Sequence, residues 1–176
     1  DQDGVISGGS NSDESVDVDA DNDGIYVWDD CDDDDPALGA ECCYEESNGS
    51  DYLFCVDELN QADAEAYCLN RGMHLVKIED VTENSYIFNT AVGYGLFASS
   101  MVHPDEIWIG LNDINQNTVY VWPDNSTTSP LLWNDGQPDE LSTQQCVCMV
   151  DYATAGDGFW HDTYCDRLNA FVCENY

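Results

Sequence analysis

The chain predicts an α+β fold preceded by an irregular acidic segment. Three observations carry that expectation. Helical signals come early in the globular part and strand signals late, without the regular alternation of an α/β protein. Composition breaks sharply near residue 40: residues 1–36 hold 13 Asp and one Glu with no Lys or Arg, whereas aromatic and apolar runs begin at about residue 41. Nine cysteines are scattered over 176 residues, which suits oxidised bridges in an extracellular protein better than a cytosolic one. The expected organisation is therefore an Asp-rich segment, 1–40, followed by a single domain, 41–176.

The charge balance narrows the partners. The chain has 37 acidic residues against three basic ones (Arg71, Lys77 and Arg167), a formal net charge of −34. Such a field repels phosphate backbones and anionic membranes, so nucleic acid is not an expected partner. Divalent cations are the natural remedy for its self-repulsion. No apolar run approaches the roughly 20 residues of a membrane-spanning helix, so membrane insertion is not expected either. The absence of an initiator Met and of a signal-peptide pattern suggests a mature or excised fragment. Two sequons, at Asn48 and Asn125, fit a secreted glycoprotein.

The first element is the acidic segment. "DADNDG" (Asp19–Gly24) places carboxylates at positions one, three and five and a glycine at six, and Asp30 falls at position twelve. Calcium takes six to eight oxygens, and this spacing lets one bend of chain supply several from Asp19, Asp21, Asp23 and Asp30, with the Ile25 carbonyl as backbone ligand. Asp32 and Asp34, within "DDCDDDDP", offer further ligands for a second ion. A solvated acidic linker is the alternative. The alternation, the placed glycine and the embedded Cys31 favour calcium. This segment resembles the aspartate-rich calcium-binding repeats of thrombospondin type 3.

The globular elements follow in order. Asn60 caps an expected helix carrying Ala62, Ala66 and Leu69 on one face, with Gly72 as its stop. "HLVKI" (His74–Ile78) reads as a short strand. Asp80 with Glu83 three residues on resembles a capping box and opens a second helix with Ile87, Phe88 and Ala91 on one face. Strand signals then come in series: "IWIGL" (Ile107–Leu111), "VYVW" (Val119–Trp122), "CVCMV" (Cys146–Val150), "GFW" (Gly158–Trp160) and "AFVC" (Ala170–Cys173). The connection from Pro123 to Gln145 is long, and long ordered loops tend to be functional.

Residues 43–176 resemble a C-type lectin-like domain of the long form. The matching pieces occur in the family's order: Cys68, "HLVKIED", "WIGLND", Trp122, Trp133, "QPD" (Gln137–Asp139), "CV", "FWHDTYC" and "FVCE". The resemblance implies a fold of two helices, antiparallel sheets and a long loop region. It also implies bridges Cys68–Cys173 and Cys146–Cys165, with Cys43–Cys55 closing an amino-terminal hairpin. Cys31, Cys42 and Cys148 remain. A Cys31–Cys42 bridge would tie the acidic segment to the domain, leaving Cys148 odd. Trp108, Trp122, Trp133 and Trp160 are expected as core and loop-anchoring aromatics, and His74 and His103 as structural residues.

In sugar-binding members of the family, calcium is held by residues flanking a cis-proline, by an acid before the next cysteine and by an Asn-Asp pair. The corresponding positions here are Gln137, Asp139, Gln144, His161 and Asp162. The Gln137–Asp139 order is the one associated with galactose-type preference. Gln144 and His161 depart from the pattern. An amide removes a charge the hard cation needs, and imidazole is a poor calcium ligand better suited to transition metals. Glu140 or Asp135 are the available substitutes for the lost acid. Calcium in this loop is therefore expected to be weak, and Pro138 to be cis if the site is filled and either isomer if it is empty.

Two functions from different classes follow. The first is a secreted, calcium-binding recognition module that takes a glycan or an extracellular protein. The second is a structural subunit that self-associates into an extracellular filament or matrix. No nucleophile–base signature, phosphate loop or H-E-x-x-H motif is present, so no catalytic residues and no enzymatic activity are expected.

Overall fold

The computed structural model describes residues 42–99, 105–115, 118–127, 131–140, 142–152 and 158–176. All of them belong to the unit Glu41–Tyr176. The expected calcium ligands Asp19, Asp21, Asp23, Ile25, Asp30, Asp32 and Asp34, together with Cys31 and His103, lie outside the described residues.

The described chain opens with a hairpin, β1 (Cys43–Ser47) and β2 (Asp51–Leu59). The Cys43–Cys55 disulfide closes it. Its turn places Gly49 at φ +93°, a left-handed conformation that glycine adopts without steric cost. Helix α1 (Gln61–Leu69) follows directly, and the Asn60 side chain accepts from the Asp63 N–H at its start. The buried face of α1 is Gln61, Ala64 and Cys68, whereas Ala62, Ala66 and Leu69 are exposed. The expected apolar face was therefore rotated. The cause is long-range: the Cys68–Cys173 bridge turns the cysteine inward and carries its helical neighbours with it. That bridge spans 105 residues, a closure worth roughly 4–5 kcal/mol in a chain-entropy estimate.

Strand β3 is only His74–Leu75, shorter than the expected run to Ile78. Val76 still donates to the Val172 carbonyl and accepts from the Gly110 N–H, so the segment stays extended without a full ladder. Gly110 is required at this crossing. A Cβ there would lie 2.7 Å from the Leu75 carbonyl oxygen and 2.9 Å from Pro123 Cδ. Helix α2 (Val81–Gly93) starts at Asp80, whose carboxylate accepts from the Thr82 and Glu83 N–H groups. Glu83 reaches back to the Glu79 N–H rather than to Asp80, a capping box displaced by one residue. Its inner face is Asn84, Ile87 and Ala91. A short helix, α3 (Leu96–Ser99), had no sequence signal.

Strands β4 (Glu106–Asn112), β5 (Cys146–Val150), β6 (Trp160–Thr163) and β7 (Asn169–Asn175) complete one sheet of order β1-β2-β7-β4-β5-β6, with β3 also on β7. All pairs are antiparallel except β4 with β7. The central strands are buried on both faces, which is why they read as continuous apolar runs. "VYVW" is not a strand; only an isolated bridge joins Val121 to Asn112. Thr118 sits at φ +65° and donates to Asp113, and Trp122 N–H donates to Ser126. Turns on both sides consume the run, and its apolar character serves burial of Tyr120 and Trp122.

Candidate recognition loop

Strands β5 and β6 set the frame of the loop. Cys146–Cys165 joins the start of β5 to the turn after β6. From Leu132 to Asn134 the chain runs beside Trp160: Trp160 N–H donates to the Leu132 carbonyl, and Asn134 N–H donates to the Trp160 carbonyl at 3.0 Å. Trp133 packs edge-on against Trp160 and Tyr120, and Trp122 packs edge-on against Trp160. Trp160 is itself fixed from below. Its Nε1–H donates to Asn84 Oδ1 at 2.9 Å, and Asn84 Nδ2 donates to the Gly158 carbonyl at 2.8 Å.

On this aromatic base the backbone turns at Asn134, whose side-chain oxygen accepts from the Asp135 N–H, and at Gly136, φ +86°. The Gln137–Pro138 bond is cis. The next two N–H groups, of Asp139 and Glu140, donate to Asp162 Oδ1 at 3.0 Å and Oδ2 at 3.1 Å. Asp162 is only 3% exposed. Gln137, Asp139, His161 and Asp162 are thus brought to one place. Gln144 lies at the far end of the same loop, where its carbonyl accepts from the Tyr120 hydroxyl at 3.4 Å. Burial, then the charges of Asp162 and Asp113, push that hydroxyl well above its ordinary pKa.

His161 is held at both ring nitrogens. Asn134 Nδ2 lies 3.1 Å from Nε2, and the Tyr152 hydroxyl lies 3.4 Å from Nδ1. Burial lowers the imidazole pKa, against the pull of the Glu106, Asp162 and Asp139 charges. Behind it, Tyr152 donates to Glu106, whose two oxygens accept from Arg167 Nη1 at 3.0 and 2.9 Å. Cys148, opposite His161 in the β5–β6 ladder, is a free and fully buried thiol. Burial, then the Glu106 charge, push it well above the ordinary thiol range. Sequence reasoning missed Asn134, Tyr152, Glu106 and Arg167. The available signal was scarcity, since Arg167 is one of three cations in the chain and was bound to find an acid.

The donor set is poor for a calcium ion in this loop. Imidazole is not an oxygen ligand and both His161 nitrogens are engaged, the Gln144 amide brings no charge, and no group of three His, Cys, Asp or Glu side chains among the described residues could hold a metal. One acceptor stays open: Gln137 Oε1 is buried with no partner among the described residues. Facing outward are the exposed Asp135, Asp139 and Glu140, with the exposed Tyr164 hydroxyl 3.3 Å from Glu140 Oε2.

Known proteins carry the same frame. Residues 57–175 match the Lectin C-type domain family model. A C-type lectin of Micrurus corallinus is 32% identical over 143 residues, covering 77% of this chain and 85% of the relative. A mannose-binding C-type lectin isoform of Notechis scutatus scutatus is 30% identical over 138 residues, covering 76% and 83%. Among solved structures, the mouse scavenger receptor C-type lectin carbohydrate-recognition domain superposes with a TM-score of 0.61 at 29% identity, covering 73% of this chain and 90% of that one. Human lithostathine does so at 0.63 and 26%, covering 76% and 96%. The bridges, the two main helices, the sheet and the "WIGL" and "QPD" segments lead to one conclusion: this chain belongs to the C-type lectin domain family, whose members are carbohydrate or protein recognition modules.

Proposed function

We propose that the chain is a secreted recognition module that takes a glycan, or a protein, on the loop face around Gln137–Glu140 and Tyr164, and that calcium belongs to the Asp-rich segment 1–40. The observation that carries the reading is a braced loop with an exposed acidic outer rim. The carboxylates of Asp139 and Glu140 stand exposed beside the exposed ring of Tyr164. Carboxylates accept hydroxyl hydrogen bonds and an aromatic ring covers the apolar face of a sugar, the mix of few polar groups and apolar surface that small-ligand sites use. The galactose-type preference associated with the Gln137–Asp139 order works through a loop calcium, so without that ion it assigns no particular sugar.

Secretion is supported by the bridges Cys43–Cys55, Cys68–Cys173 and Cys146–Cys165, which persist in oxidising compartments. Cys42 is also disulfide-bonded. Asn48 and Asn125 both lie on exposed turns, which suits N-glycans. No described helix is long and apolar enough to cross a membrane. The filament alternative loses one support, because Cys148 is buried and cannot link chains. The test is an array of glycans and secreted proteins probed with the full chain and with Tyr164→Ala. Binding that the substitution abolishes supports the reading; binding indifferent to it places the ligand elsewhere.

A further inference from the structure

We infer that the recognition loop of this chain is held in its binding shape by the protein's own hydrogen bonds and not by calcium, with Asp162 and the Asn134–His161–Tyr152–Glu106–Arg167 chain in the ion's place. The inference rests on the proposed function for the role of the loop. It concerns how that loop is kept ready.

A loop ion does two things: it gathers donors from distant segments and it neutralises their charge. The gathering is done here without one, and the loop acids Asp135, Asp139 and Glu140 stand in solvent, which screens their charge. The Asp162 carboxylate gathers consecutive N–H groups, those of Asp139 and Glu140, at 3.0 and 3.1 Å. A charged acceptor makes each such bond stronger than a neutral one. This ties the segment after Pro138 to β6.

The second anchor ties the segment before Pro138 to the core. An amide nitrogen only donates, so Asn134 Nδ2 requires His161 Nε2 to accept. The ring proton then sits on Nδ1 and is donated to the Tyr152 hydroxyl oxygen. That leaves the hydroxyl hydrogen for Glu106. Arg167 neutralises Glu106 from the far side. Donation runs from Asn134 through His161 and Tyr152 to Glu106, which accepts from Arg167 on its other side. Such fully satisfied networks rigidify what they join.

His161 is therefore a positioning residue in this loop rather than a lost ligand. Gln137 Oε1, the remaining buried acceptor, is a neutral oxygen at the rim, suited to a water or a ligand hydroxyl. Calcium needs six to eight oxygens with carboxylates among them.

The test is amide exchange by NMR on the full chain, in millimolar calcium and in excess EDTA. Protection of the Asp139 and Glu140 amides is expected to be the same in both, even where chelation changes segment 1–40. Faster exchange at these two amides on chelation overturns the inference. Asp162→Asn is expected to speed their exchange roughly tenfold or more in both buffers; unchanged exchange overturns it. If that variant does not fold, Tyr152→Phe is read at the Gln137 amide, which donates to the Asn134 carbonyl. Faster exchange there supports the second anchor, and unchanged exchange overturns it. Loss of array binding with chelator-insensitive exchange counts against the proposed function alone.

Discussion

Replacing Asn84 by alanine tests whether α2 holds the strand that carries His161 and Asp162. Asn84 is 8% exposed and makes two buried hydrogen bonds, from Trp160 Nε1 at 2.9 Å and to the Gly158 carbonyl at 2.8 Å. Trp160 is fully buried, so water cannot replace the lost acceptor without opening the core. Removing one partner of a buried bond costs about 1–3 kcal/mol for each group left unsatisfied. Two groups give about 2–6 kcal/mol, a large part of the roughly 5–15 kcal/mol that holds a domain together. The assay is urea unfolding with the disulfides intact, followed by tryptophan fluorescence, comparing midpoints at constant slope. Asn84→Asp keeps an acceptor for Trp160 but loses the donor to Gly158 and buries a carboxylate, so it is expected to fare no better. A loss below about 1 kcal/mol for Asn84→Ala would refute the reasoning, since Trp160 would then be anchored by packing alone.

Three further outcomes are expected. Restoring the family's ligands with Gln144→Glu and His161→Asn together should create calcium binding at the loop, seen by calorimetry as heat absent from the parent loop and lost again on Asp162→Asn. Asp124 is raised by burial but held down to about 2 by hydrogen bonds from Lys77 and Ser126; a depressed carboxylate stabilises above its unfolded pKa, so the stability advantage over Asp124→Asn should be full at neutral pH and vanish as pH falls from about 4 towards 2. Cys148 should resist thiol reagents in the folded protein and react fully after denaturation, measured by colorimetric titration, because burial disfavours the reactive thiolate.

What could be read from sequence were the features decided by neighbours along the chain. Asn60 and Asp80 announced helix starts because capping is a contact within three residues, and both caps form. "IWIGL" and "CVCMV" announced strands because burial on both faces leaves an unbroken apolar run. The failures share the opposite cause. The inward face of α1 is chosen by Cys173, 105 residues from Cys68, so Ala62 and Leu69 misled. "VYVW" has strand composition, yet the turns at Thr118 and Ser126 deny it a partner strand. The loop's candidate ligands could be named from the family pattern. Their actual occupation could not, because Asp162 is committed to Asp139, 23 residues before it, and Glu106 to Arg167, 61 residues after it.

The central claim is that the loop face recognises its ligand without an ion of its own. The most direct measurement is an array of galactose-terminated and other glycans and of secreted proteins, probed with the full chain in millimolar calcium and again in excess EDTA. The account predicts the same ligands at the same strength in both buffers, with binding lost on Tyr164→Ala. Binding that EDTA abolishes, while the Asp139 and Glu140 amides become exposed to exchange, would contradict it.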